Sequence, residues 1–106
     1  MRKTYNKLVR DRIPEIIEAS GKRCSVEILE GEDYIEAIDV KLDEELAEYH
    51  KDQSLEELAD LLEVIYAAAR ARGCSAEELD KIRATKAEQR GSFDMRVLLK
   101  EVESIK

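Results

Sequence analysis

The chain has no tryptophan, one phenylalanine, one proline, one histidine, two cysteines and four glycines in 106 residues. Each scarcity excludes something. With so few aromatic rings, most of any core must come from aliphatic side chains. A single histidine rules out a multi-histidine metal site, and His50, at an expected helix end, reads as a loop or capping residue rather than a catalytic one. Cys24 and Cys74 form no CxxC pattern, so they read as free buried thiols rather than a zinc site or a disulfide framework. The glycines form no phosphate-cradling loop, and no nucleotide-binding βαβ unit is visible. No run is long and apolar enough to span a bilayer. Met-Arg-Lys-Thr-Tyr-Asn-Lys at the start lacks the apolar stretch of a secretory signal, so a cytoplasmic location without membrane partners is expected. Positive charge is also short. The net charge of −7 argues against nucleic acid as a partner, because meeting phosphates takes a basic face.

Charge as such is plentiful. Asp, Glu, Lys and Arg make up 41% of the chain, which suits helices with one solvated face. The length fits one domain over residues 1–106, with a modest core of the sort that oligomerisation completes. There are no repeats, linkers or low-complexity segments.

Pro14 marks the start of a short helix with Ile13, Ile16 and Ile17 on one side, ended by Ser20-Gly21. Residues 23–29 alternate apolar with polar and predict a short strand. After the turn at residues 30–33, with Asp33 as the cap, a long helix is expected from about Tyr34 to Tyr49. Ile35, Ile38, Leu42, Leu46 and Tyr49 form its stripe. His50 to Gln53 break the pattern. Ser54 opens a second long helix reaching Arg72, apolar on more than one side, which predicts a subunit interface. Ser75 and Glu78 fit a capping box for a further helix to about Gln89. In the tail, Met95, Val97 and Leu99 alternate as a strand would and could pair with residues 23–29, whereas Val97, Leu98, Val102 and Ile105 fit a helix. The strand is preferred here. The expected fold is therefore mainly α: an antiparallel helical bundle completed by oligomerisation, with one minor β-pair.

Chemistry concentrates on the two long helices. The first carries Glu44, Glu45 and Glu48, and the second carries Glu57 and Asp60. Each helix thus has a carboxylate pair three residues apart on one face. A short loop makes the helices antiparallel neighbours. Both pairs lie beside apolar stripes, where crowded carboxylates must neutralise or find a cation. Oxygen ligands suit magnesium, or manganese, rather than zinc. Ser54 to Glu57 is also a capping box, a rival role for Glu57. Lys86 and Arg90 share a helix face and either clamp a phosphate or complement the helix dipole. Tyr34, Tyr49, Tyr66 and Phe93 read as core or interface residues.

ExxE followed by ExxD, with the run Glu-Glu-Leu-Ala-Asp at residues 56–60, resembles the all-α nucleotide pyrophosphohydrolases, the group of MazG and phosphoribosyl-ATP pyrophosphohydrolase. Residues 5–14 (YNKLVRDRIP) and 86–93 (KAEQRGSF) resemble a subgroup of small MazG-like proteins. The resemblance implies an acid anhydride hydrolase that splits a nucleoside triphosphate into monophosphate and pyrophosphate, including house-cleaning of non-canonical nucleotides. It implies metal ligands at Glu45, Glu48, Glu57 and Asp60, with Glu44 assisting Glu45 and Glu57 in catalysis. Lys86 and Arg90 would hold the outer phosphates. Lys7, Arg10 and Arg12 match family positions too, with substrate contact and salt bridging to the acidic helices both open. A homodimer or homotetramer is the expected assembly. The spacer between Glu48 and Glu57 is shorter than in MazG itself, which brings the site close to the helical turn. Two other readings stand beside this one: hydrolysis of phosphoribosyl-ATP, and a non-catalytic helical oligomerisation or adaptor module.

Overall fold

The computed structural model describes residues 2–105. Four helices follow one another: α1 (Ile13–Ala19), α2 (Gly31–Asp52), α3 (Leu55–Ala71) and α4 (Ala76–Arg90). The expected all-α class holds among the described residues, and the expected strands do not form. Residues 22–30 and 97–105 form neither helix nor strand. The reason is that alternation specifies a strand only when a second edge is present to accept its backbone groups. Among the described residues the two segments do not pair. Val26 and Ile28 stay exposed, as do Met95, Val97 and Leu99.

Packing is concentrated in one place. α2 and α3 lie against each other, α3 and α4 touch over a short stretch, and α1 packs on no other helix. Ile38 on α2 is 0% exposed and is the one large side chain fully enclosed among the described residues; Ala69 on α3 is the other buried apolar residue. Cys24 and Cys74 are both free, and half-buried rather than fully buried. The Cys24 thiol lies 3.8 Å from the Pro14 carbonyl, which ties the extended segment to the start of α1.

The helix ends follow local chemistry, with two departures. α2 begins at Gly31 rather than Tyr34, so Asp33 lies in its first turn, where it complements the dipole instead of capping. α2 also runs through His50 to Asp52, one turn beyond the expected end. Gln53 then stops it in the left-handed region (φ 50°), its N–H donating to the Tyr49 carbonyl at 2.7 Å. Ser54 caps α3 by accepting from the Glu57 N–H. The α2–α3 connection is therefore only Gln53-Ser54. Ser75 and Glu78 form the complete reciprocal box on α4.

The enclosed position of Ile38 makes it the anchor of the α2–α3 pair. Ile38→Ala should destabilise the protein by about 2–5 kcal/mol, read from denaturant unfolding followed by helical circular dichroism.

Candidate metal centre

The tight turn decides which carboxylates meet. α2 enters it with Glu45, Glu48 and Asp52 along one side, and α3 leaves it with Glu57 and Asp60. Carboxylate oxygens of Glu45, Glu57 and Asp60 lie within 4.8 Å of one another, all on half-buried side chains. A second group, Glu48, Asp52 and Glu57, meets the same spacing nearer the turn and is more exposed. Glu57 belongs to both.

The four residues singled out by spacing thus come together as two overlapping sets. Glu48 is grouped with Asp52 rather than with Glu45 and Asp60. Asp52 was missed because the apolar pattern ends at Tyr49. The signal for it was present all the same, since Asp52 stands one helical turn after Glu48.

Glu57 is released from its rival role. Its backbone N–H donates to Ser54 Oγ at 3.2 Å, but the return bond from the Ser54 N–H to its carboxylate is not made. Desolvation pushes the Glu57 pKa above its ordinary value of 4.5, and the charges of Asp60, Asp52, Glu48 and Glu45 push it further the same way.

Three cations stand around this cluster. Lys41 lies 3.2 Å from Glu44 and 3.3 Å from Glu45, one turn along α2. The Lys41 and Glu45 side chains are only 14% and 13% exposed, the most sheltered ion pair among the described residues. Lys7 donates to Glu44 at 3.2 Å, and Arg10 to Asp60 at 2.7 Å. Lys7 and Arg10 both form ion pairs with the acidic helices. Asn6, in the left-handed region (φ 44°) that asparagine tolerates, turns the segment ahead of them. Arg12 pairs locally with Glu15 instead, at 3.0 Å. Lys41 was not singled out beforehand, although its spacing to Glu44 and Glu45 marks it as their neighbour.

Partial desolvation alone would raise the Glu44 pKa. The hydrogen bonds from Lys7 and Lys41 outweigh it, and the pKa settles below 4.5. Glu44 is thus a paired carboxylate, and Glu57 a crowded one.

Lys86 and Arg90 lie elsewhere. α4 touches α3 but not α2, and from Asp80 to Arg90 only Ala87 is half-buried, the rest being exposed. Neither Lys86 nor Arg90 pairs with the acidic helices within the described residues.

The oxygen set fits a hard divalent cation. Octahedral magnesium with its oxygens at 2.0–2.1 Å places neighbouring ligands about 2.9 Å apart and opposite ones about 4.2 Å apart, so oxygens within 4.8 Å of one another close on one ion with side-chain adjustments of up to about 2 Å. Arg10 holds only Oδ1 of Asp60 and Lys41 only Oε1 of Glu45, and each carboxylate has a second oxygen to offer.

No family model matches the chain, and no solved structure does. A protein of Mycolicibacterium smegmatis described as uncharacterized is 56% identical over 41 residues. That match covers 39% of this chain and 42% of the relative, so it spans well under half the relative's length.

The opposite pKa directions set a pH signature. Glu57, raised in the folded state, contributes stability that is present below pH 4.5 and lost as pH rises through its folded value. Glu44, lowered, contributes stability that is present above 4.5 and lost as pH falls through its folded value. In metal-free buffer near pH 7, Glu57→Gln should therefore raise Tm and Glu44→Gln should lower it. Thermal melts of the two variants across pH 3–8 check both signs.

Proposed function

We propose that the chain is a metal-dependent nucleotide pyrophosphohydrolase of the MazG-like type, converting a nucleoside triphosphate to its monophosphate and pyrophosphate. The observation that carries this reading is the meeting of Glu45, Glu57 and Asp60 across a two-residue turn, with Glu48 and Asp52 extending the oxygen set through the shared Glu57.

Glu45, Glu48, Glu57 and Asp60 are the residues that would hold magnesium (or manganese), with Asp52 added from the geometry. A divalent ion here would supply charge neutralisation of the phosphates and activation of the attacking water. The rest falls to the chain's own groups. Lys41 and Arg10 orient the carboxylates of Glu45 and Asp60. Glu44 holds Lys7 beside the cluster, which turns its assisting role into a positioning one. Lys7 and Arg10 put positive charge at the rim, where an anionic substrate approaches an otherwise acidic protein. A carboxylate of the cluster left free of the ion would accept the proton of the attacking water. Lys86 and Arg90 are assigned to the outer phosphates. In a single chain α4 does not pack on α2, so this assignment calls for a homodimer or homotetramer in which another copy's α4 covers the cluster.

The adaptor reading draws support from the exposed apolar residues of α3 and the tail. It makes no use of the convergent carboxylates and expects no metal effect. Hydrolysis of phosphoribosyl-ATP remains within the enzyme reading and is separated from it by substrate.

Magnesium at ~100 times its dissociation constant should stabilise the protein by about 2.7 kcal/mol, or roughly 10–20 °C in Tm. Pyrophosphate should be released from at least one member of a panel of ordinary nucleotides, damaged nucleotides and phosphoribosyl-ATP. A melt insensitive to magnesium, with no release, would favour the adaptor.

Glu57→Gln should abolish turnover while helicity is kept. Full activity in that variant would remove Glu57 from the site.

A further inference from the structure

The chain exposes far more surface than its mass accounts for. Its accessible area is 10,194 Å², against about 6,000 Å² for a compact protein of 12.2 kDa. Its radius of gyration is 18.9 Å, against roughly 13 Å for a globular chain of this length. The surplus, about 4,000 Å² per chain, exceeds the ~1,000–2,500 Å² that each partner typically gives up in an obligate dimer.

Two apolar surfaces contribute to it. One is the arm that follows α4, where Leu98 is 82% and Val102 84% exposed. Between Ser92 and Ile105 the one backbone hydrogen bond runs from the Arg96 N–H to the Phe93 carbonyl, so the arm holds no structure of its own. The other is the outer face of α3. Leu55, Leu58, Leu62 and Ile65 recur at steps of three and four, form one stripe, and are all exposed. This stripe faces away from Glu57, which points at α2.

We propose that the arm of one copy lies across the α3 stripe of a second copy, and that the exchange is reciprocal. A two-fold dimer places the same pair of surfaces together twice, so each chain's donor and acceptor are covered in one assembly. Both surfaces belong to this chain and both are apolar, so no second protein is needed to satisfy either. In one chain α4 stands largely clear of α2 and α3 and carries the arm outward, and the long dimension of 68 Å reflects that reach. The inference builds on the oligomer expected above and is independent of the catalytic reading, because none of its contacts is a carboxylate of the cluster.

The test uses the full chain and two paired variants. One carries Leu98→Asp and Val102→Asp in the arm, and the other carries Leu58→Asp and Leu62→Asp on the stripe. Sedimentation equilibrium should give twice the 12.2 kDa chain mass for the unmodified protein. Each variant alone should dimerise at least ~100-fold more weakly, because each of the two junctions of the dimer loses two apolar side chains. Circular dichroism on each variant checks that helicity is retained, and single Leu98→Asn and Leu62→Asn variants replace any pair that does not fold. Mixing the arm variant with the stripe variant should restore dimers, since the mixed pair keeps one intact arm on one intact stripe. A monomeric full chain overturns the proposal. So does a mixture that stays monomeric, the result expected if arm pairs with arm and stripe with stripe. Magnesium and substrate are absent throughout, so the outcome does not depend on whether the chain is an enzyme.

Discussion

Like charge held at close quarters by a tight turn is the constraint on which the rest of the site depends. Gln53 and Ser54 reverse the chain within two residues, and the packing of α2 on α3 around Ile38 holds the helices together. Glu45, Glu48, Asp52, Glu57 and Asp60 are then gathered whether or not their charges favour it. Burial of Ile38 is non-directional and does not tell one rotation of a carboxylate from another. The cations do. Lys41, Lys7 and Arg10 each occupy one carboxylate oxygen and leave others open.

This division of labour explains why the two ends of the cluster differ. Glu44 sits between two lysines and is stabilised as an anion. Glu57 sits among four other carboxylates and is not. A group whose charge its neighbours oppose gains most from a nearby cation, so Glu57 is the carboxylate on which the proposed site leans most. Local stability and proposed function therefore pull in opposite directions at Glu57, as they commonly do at working sites.

The same economy of packing leaves the chain incomplete. One well-packed helix pair cannot cover the outer side of α3, and α4 with its arm adds surface rather than enclosing it. Basic residues assigned to substrate, Lys86 and Arg90, lie on that outlying helix.

Much of this was legible in the residues themselves. Pro14, Ser54, Ser75, Gly73 and the apolar steps fixed the existence and order of four helices, because caps and periodicity act over three or four residues. ExxE and ExxD marked the cluster for the same reason. What could not be read locally was anything requiring a partner distant in sequence. The alternation of residues 23–29 and of the tail promised strands that find no edge here, and the apolar pattern stopped short of Asp52. Lys7 and Arg10 reach Glu44 and Asp60 across 37 and 50 residues of chain. Such pairs depend on how whole elements are placed, which no local spacing encodes, so only the tertiary structure decided them.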